Sequence, residues 1–174
     1  MTHNEDLLIE MLQKGTFEFK TLENGSVLAG YISKNCENPV LVELAINEIV
    51  INAVVYSLGI DSPTKTMLFS NNTWSEKINN KNKSVTLEFE RLNNSIKISV
   101  IDHGPGFNLT EFINNNNNDK PSLKTHGRGI MMIKQLFPDL NSEILRDINN
   151  KIIGTKVYFS IPTQNLLINK NKLK

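Results

Sequence analysis

The sequence has no pair of cysteines, no long apolar run and almost no net charge, and each of these features excludes a class of protein. Its single cysteine, Cys36, rules out an intramolecular disulfide framework and a cysteine-rich zinc site. A formal net charge of +1 does not suit a dedicated nucleic-acid-binding protein, which usually carries a basic face. No apolar run approaches the roughly 20 residues that span a bilayer, and the acidic N-terminus lacks the cationic start of a signal peptide. We therefore expect a cytoplasmic protein that contacts neither membrane nor nucleic acid directly.

The composition that remains is that of one globular domain with polar loops. Hydrophobic residues make up 39% of the 174 positions and charged residues 21%, as in ordinary soluble domains. Asparagine is abundant, with a run at Asn114–Asn118. Such a run can be a functional polar tract, but loops that need not pack also accumulate it. We divide the chain into an N-terminal helical extension over 1–14, one domain over 15–162 and a flexible tail over 163–174.

Hydrophobic periodicity predicts a mixture of helices and hairpins. Helices are predicted over 1–14, 26–35, 39–57 and 129–137, and strands over 16–20, 84–91, 95–102, 142–147 and 153–162. An insertion is expected over 59–83, with a short helix near 65–69, and a polar loop over 108–123. Because helices and hairpins segregate along the chain, we expect an α+β two-layer sandwich: a mixed, mostly antiparallel sheet with helices on one face.

Glu48 and Asn52 are polar residues one turn apart on a predicted helix that is apolar almost all round. A buried polar side chain without a partner costs about 2 kcal/mol or more, so a ligand is an economical explanation for the pair. Asparagine offers Mg²⁺ a neutral oxygen, and glutamate can act as a general base. The alternative is that Glu48 faces solvent and Asn52 bonds to nearby backbone.

Two glycine-containing segments add further polar chemistry. Asp102 ends a predicted strand, where its carboxylate can accept a hydrogen bond from the exocyclic amine of adenine. Gly104 and Gly106 follow it and permit close approach of a ligand or positive φ, although a tight turn favours the same residues. Further along, Arg128 stands between two glycines where a helix is predicted to begin, and helix N-termini bind anions. Alone, that second segment is also consistent with an ordinary helix cap.

The two histidines beside these segments, His103 and His126, could form a metal pair. No carboxylate or cysteine falls at ligand spacing from them. We interpret both as structural residues.

Together these segments resemble the motifs of the histidine kinase-like ATPase family, whose nucleotide-binding fold is shared by gyrase and sensor histidine kinases. Residues 48–53 are similar to its N box, 102–106 to its first glycine box and 127–130 to its second. Gly154-Thr155 is similar to its third, a Gly-Thr at the start of the last strand. The four boxes occur in the family's order, and the resemblance covers about residues 15–162.

The resemblance implies that the protein binds ATP and Mg²⁺. It implies that Glu48 is the catalytic base, that Asn52 binds Mg²⁺ and that Asp102 binds adenine. The remaining nucleotide contacts that it implies are made by Gly104, Gly106, Gly127, Arg128, Gly129, Ile130 and Thr155. The segment 107–126 corresponds to the family's ATP lid, which we expect to be mobile without nucleotide.

Within the family, the chain is most similar to anti-sigma-factor serine/threonine kinases, which bind a sigma factor and phosphorylate an antagonist. The expected partner is thus a sigma factor or an anti-sigma antagonist, and a homodimer is a further expectation. Ile51 and Tyr56 replace the Thr and His found in many of these kinases. The alternatives are therefore a non-catalytic, nucleotide-responsive binding module and an output domain linked to a response regulator. The insertion over 59–83 is a candidate partner surface.

Overall fold

The computed structural model of the chain describes residues 14–20, 22–34, 36–58, 84–118 and 128–162. Within these ranges the chain forms four helices and five strands. Their bounds are β1 Lys14–Phe19, α1 Leu22–Ser33, α2 Pro39–Leu58, β2 Val85–Arg91, β3 Ser95–Asp102, α3 Leu109–Asn118, α4 Arg128–Leu136, β4 Asn141–Arg146 and β5 Ile152–Pro162. Of the predicted helix over residues 1–14, only Lys14 is described, and it begins β1 instead. The rest of that helix and the predicted insertion over 59–83 lie outside the described residues.

The five strands form one sheet in the order β1-β2-β3-β5-β4. Each described strand is antiparallel to its neighbours. Alternate residues of each strand point to opposite faces, and the apolar set of β2, which includes Leu87 and Phe89, is buried. Helix α2 crosses this apolar face and buries Ile46 and Ile49 completely or nearly so. The predicted α+β sandwich is confirmed.

Helix α2 runs in the same direction as β3. Near its C-terminus, the Ser57 hydroxyl accepts a hydrogen bond from the amide of His103, just past the end of β3, at 3.0 Å. Cys36 lies just before the N-terminus of α2. Burial raises the pKa of the Cys36 thiol, and the positive charge of Arg91 partly opposes this effect. Arg91 in turn pairs with Ile96 at the start of β3. We call the end of the sheet at Arg91 and Ile96 the hairpin end, because the β2–β3 turn lies there.

Helix boundaries follow local chemistry in the expected way. The carbonyl of Asn38 accepts a hydrogen bond from the amide of Val42 at 3.0 Å, so α2 begins at Pro39, where proline's missing amide is harmless. Helix α4 ends before Pro138, which cannot continue it. Among the described helices, none combines the length and apolarity needed to cross a membrane.

The prediction of a polar loop over 108–123 is wrong for residues 109–118, which form α3. Asn108 caps this helix: its side-chain oxygen accepts from the amide of Glu111 at 3.1 Å and its carbonyl from the amide of Phe112 at 3.0 Å. Leu109 is buried, and Phe112 and Ile113 pack against the core. These three apolar residues have i, i+3, i+4 spacing, which is helical. The remainder of the expected lid, 119–126, lies outside the described residues.

Candidate functional site

Asp102 forms the buried acidic end of β3. Its residue is only 3% exposed, and its Oδ1 accepts a hydrogen bond from the amide of Gly104 at 2.7 Å. Burial raises the pKa of the Asp102 carboxyl above its ordinary value, against the opposing effect of hydrogen bonds from Gly104 and Thr155. The strand end thus holds an acceptor in a fixed direction and in surroundings that strengthen any hydrogen bond it makes.

Two glycines allow the backbone to close around this carboxylate. A Cβ on Gly154 would collide with the carbonyl oxygen of Asp102 and lie 3.2 Å from the Cα of His103. Gly106 has a φ of +93°, in the left-handed region that favours glycine. A side chain at either position would disturb the backbone that shapes the predicted adenine site.

Thr155 acts through its neighbours rather than at the surface. It pairs with Asp102 across β3 and β5 and is only 1% exposed. Its hydroxyl oxygen accepts a hydrogen bond from the amide of Phe107 at 2.9 Å and also bonds to Asp102. The structure therefore gives Thr155 a positioning role, fixing both the carboxylate and the loop that follows it.

Glu48 lies against the first turn of α4. A Cβ on Gly129 would collide with the Oε2 of Glu48 and lie 3.0 Å from its Cδ. Glu48 is half-buried, so it faces α4 and not only open solvent. The free amides of a helix's first turn form an anion-binding position. The structure thus places the predicted base directly beside the predicted phosphate-binding turn.

Asn52 is half-buried one turn after Glu48 on the same side of α2. Across the described part of the chain, no three His, Cys, Asp or Glu side chains come together to hold a metal ion. A single amide oxygen still suits Mg²⁺, which keeps several waters and takes its other ligands from nucleotide phosphates. The donor set at Asn52 therefore fits a Mg²⁺–nucleotide complex and not a metal bound by protein alone.

The second glycine box contributes mainly backbone. Arg128 is exposed at the first position of α4, where its guanidinium is available to a phosphate. Ile130 is 7% exposed and belongs to the core, so only its main chain is available to a ligand. The predicted contact at Gly127 lies outside the described residues.

Two serines of the site were not anticipated from the sequence. Ser57, 3% exposed, holds the amide of His103. The hydroxyl of Ser142 accepts from the amide of Leu109 at 2.8 Å and donates to the carbonyl of Phe107 at 3.1 Å. Both fix the segment after Asp102. A serine inside an otherwise apolar helix was a usable signal for Ser57, whereas Ser142 is recognisable only from the fold.

A cleft of about 460 Å³ on the open face of the sheet is separate from this site. Lysines and glutamates line this cleft, and the Nζ of Lys156 forms an ion pair with Glu88 at 2.8 Å across it. None of the predicted nucleotide residues contributes to the cleft. We therefore attribute no nucleotide binding to it.

The predicted residues that the structure describes converge at one end of the sheet. Asp102 and its glycines lie where β3 ends, beside the C-terminal part of α2. Glu48 joins the middle of α2 to the start of α4. The predicted adenine acceptor, the predicted phosphate-binding turn, the Asn52 amide and the Glu48 carboxylate are thus carried by three adjoining elements, β3, α4 and α2. This combination fits a nucleoside triphosphate with its metal.

Comparison with known proteins agrees with this geometry. No curated protein matches the chain at a significant level. The family model of the histidine kinase-like ATPase domain matches residues 35–160, well over half of the 174 residues. The matched range contains α2, β3, α4 and nearly all of β5, and therefore every element that carries the site. The chain belongs to the histidine kinase-like ATPase family.

Proposed function

We propose that this protein is an ATP-dependent serine/threonine protein kinase of bacterial partner switching, similar to the anti-sigma-factor kinases. Family membership implies ATP binding, typically with Mg²⁺. The observation that supports phosphoryl transfer is the contact between Glu48 and Gly129. This contact sets the Glu48 carboxylate beside the anion-binding turn of α4. A general base must lie at this position to receive the proton of an acceptor hydroxyl.

The proposed roles follow from the positions of the side chains. Asp102 accepts from the adenine amine, and the backbone around Gly104 and Gly106 lies close to the nucleotide. Asn52 would hold Mg²⁺, which neutralises phosphate charge when bound. Arg128 and the first amides of α4 bind the terminal phosphate. Such transfer depends mainly on positioning and electrostatics, so these few groups suffice for it.

Glu48 has the specific role of moving a proton. Its carboxylate accepts the proton of the serine or threonine hydroxyl as that oxygen attacks the terminal phosphorus. The bond between the terminal phosphorus and the bridging oxygen breaks, and ADP leaves. The half-buried position of Glu48 limits competing water around the carboxylate.

A second candidate is a nucleotide-responsive binding module that performs no transfer. The observation that favours it is Ile51, an apolar residue beside Asn52 where many of these kinases carry Thr. Tyr56 replaces His in the same way. The same domain could also serve as the output of a response regulator.

The proposed partner is a sigma factor or an anti-sigma antagonist, and we extend the proposal to self-association as a homodimer. Serine phosphorylation of the antagonist would add charge and alter its binding. The partner-switching role rests on the resemblance of the site to that of anti-sigma-factor kinases.

Incubation of the protein with γ-labelled ATP, Mg²⁺ and a panel of candidate antagonists tests the proposal. Transfer of label to a serine or threonine of one antagonist is the expected result. If ATP binds but no label reaches any acceptor and no ADP is formed, the binding-module function is the correct one. Sedimentation with and without ATP separately tests the homodimer.

A further inference from the structure

Arg91, at the end of β2, has one edge of its guanidinium group without a partner. Its Nε and Nη2 atoms are buried and make no hydrogen bond to the part of the chain that the structure describes. The two nitrogens point their N–H groups to the same side of the planar group. An edge of this kind binds a carboxylate or a phosphate through two parallel hydrogen bonds. Because a buried charged donor without an acceptor costs free energy, the free edge of Arg91 requires an explanation.

Arg91 lies on the helix-covered side of the sheet, at the margin of the core. Residues of a strand alternate between its two faces, and Leu87 and Phe89, which share the face of Arg91, belong to the core. The Cζ of Arg91 lies 5.7 Å from the centroid of the Phe89 ring. Its charge also acts on the buried thiol of Cys36, in the connection between α1 and α2. Arg91 as a whole is half-buried, so its free edge lies close beneath the surface and not deep in the core.

The chain beside Arg91 pairs its acceptors with its own donors. The thiol of Cys36 donates to the carbonyl of Ile32 at 3.5 Å, and its amide donates to the carbonyl of Ser33 at 2.9 Å. The hydroxyl of Ser33 donates to the carbonyl of Gly30 at 3.1 Å. The last turn of α1 is thus closed internally, and none of these carbonyls accepts from the free edge of Arg91.

The acids on the same strand lie on the other face of the sheet. Glu88 and Glu90 alternate with Arg91 and therefore point away from the helices. Glu88 forms an ion pair with Lys156 at 2.8 Å, and Glu90 is the register partner of Lys97. Neither carboxylate accepts a hydrogen bond from the free edge of Arg91.

On the helix side, three charged residues belong to the elements beside Arg91. Lys34 and Glu37 are exposed in the connection between α1 and α2, and the Nζ of Lys34 lies 4.6 Å from the ring centroid of Tyr31. Glu43 faces α1 from α2. Both carboxylates leave the free edge of Arg91 without an acceptor. Among the described residues, no hydrogen-bonded acid therefore compensates the charge at this edge.

A water molecule could accept from the free edge but would not compensate its charge. An oxyanion does both, since it supplies two acceptors in the right geometry and one opposite charge. We propose that the Nε–Nη2 edge of Arg91 binds an oxyanion with two available oxygens, the chemistry shared by carboxylates and phosphates. Arg91 pairs with Ile96, six residues before Asp102 on β3, which is about 20 Å along the strand. The site is thus separate from the predicted nucleotide site.

NMR of the arginine Nε–H signals in the full chain tests the proposal. Arg91→Lys identifies the Arg91 signal by its loss. The wild-type protein is titrated with sodium acetate and, separately, with sodium phosphate, each against sodium chloride at equal ionic strength. The expected result is a saturable shift of the Arg91 signal with at least one of the two oxyanions and not with chloride. Saturation by acetate assigns the site to carboxylates, and saturation by phosphate alone assigns it to phosphoryl groups.

Thermal unfolding provides a second measurement on the same samples. An anion that binds only the folded protein raises its unfolding temperature. Arg91→Lys keeps the charge but lacks the planar edge, so the anion concentration needed for a given rise should increase at least about tenfold. The matched control is Lys97→Met, which removes a cation from the neighbouring strand on the opposite face and should respond as wild type does. Equal responses of wild type and Arg91→Lys would overturn the proposal.

Two further variants identify the site that responds. The shift of the Arg91 signal should persist in Arg128→Ala, which removes the cation of the predicted phosphate-binding turn. This result does not depend on whether the protein binds ATP. If Glu37 fills the edge in solution, wild type shows no shift and Glu37→Gln does. That outcome would overturn a site for an external anion, as would an Arg91 signal that neither anion moves in either protein.

Discussion

The carboxylate of Glu48 occupies the space that a side chain on Gly129 would fill, so α2 and α4 contact each other through this carboxylate and the Cα of a glycine. This contact predicts an unusual result for Gly129→Ala. The new methyl meets only the end of a flexible side chain, while alanine gains about 1 kcal/mol of helix propensity over glycine. We expect unchanged or raised thermal stability together with reduced phosphoryl transfer, because the Glu48 carboxylate is displaced. Thermal unfolding and label transfer, measured on the same preparation, test this prediction. Full phosphoryl transfer by Gly129→Ala would show that the reaction does not depend on the Glu48–Gly129 contact.

Glu48→Gln should abolish transfer while leaving ATP binding intact. Glutamine keeps the shape of the side chain but cannot accept the hydroxyl proton, and general-base contributions are about 10²–10⁴-fold in rate. The matched control is Glu43→Gln on the same helix, whose carboxylate lies on the α1 side, 3.8 Å from a Cβ placed on Gly30. Transfer assays and calorimetry with ATP distinguish the two variants. Retention of full transfer by Glu48→Gln would assign the base to another group.

Asp102→Asn should weaken ATP binding at least about tenfold, since a hydrogen bond to a charged acceptor contributes about 1.5–3 kcal/mol. The free energy of unfolding at neutral pH should rise in the same variant. Because the folded pKa of Asp102 lies above its ordinary 3.8, the favourable contribution of its protonated form is complete below pH 3.8 and is lost as pH rises through the folded pKa. At neutral pH the ionised carboxylate therefore costs stability, which asparagine relieves. Calorimetry and thermal unfolding at pH 7 test both parts, and unchanged affinity would refute the adenine assignment.

Gly154→Ala should destabilise the domain by about 3 kcal/mol or more. Its Cβ would meet the backbone carbonyl of Asp102 and not a movable side chain. The β3–β5 ladder must then separate at the residue that carries the adenine acceptor. Urea unfolding of Gly154→Ala beside Gly129→Ala tests the distinction between backbone and side-chain collisions. Similar stabilities for the two variants would contradict it.

Cys36 should resist thiol reagents in the folded protein at pH 8. Burial raises the pKa of its thiol to about 11 from 9.0, partly opposed by the charge of Arg91, so little reactive thiolate forms. Stability linked to this group is complete below pH 9.0 and is lost as pH rises toward about 11. Labelling rates with and without urea test the first statement. The unfolding free energy at pH 8 and 10, compared with Cys36→Ala, tests the second; a fast native reaction would show an accessible thiol.

Local chemistry made much of the fold predictable. Asn38-Pro39 marked the start of α2 to the residue, and alternating apolar residues marked both hairpins. Helix α3 was missed because its asparagines outweighed three apolar residues at helical spacing. The candidate site residues were predicted from motifs, but the Glu48–Gly129 contact and the Ser142 hydrogen bonds depend on elements far apart in sequence. Such contacts become visible only once the sheet order is known.

The pairing of Asp102 with Thr155 also has a consequence for biosynthesis. Strand β5 lies inside the sheet, between β3 and β4, yet it is the last of the five described strands to be translated. A nascent chain that ends before Gly154 carries Glu48, Asn52 and Asp102. It lacks the part of β5 that fixes the carboxylate of Asp102. ATP bound at this predicted site would therefore stabilise the chain whose sheet is complete relative to partly folded ones, by mass action.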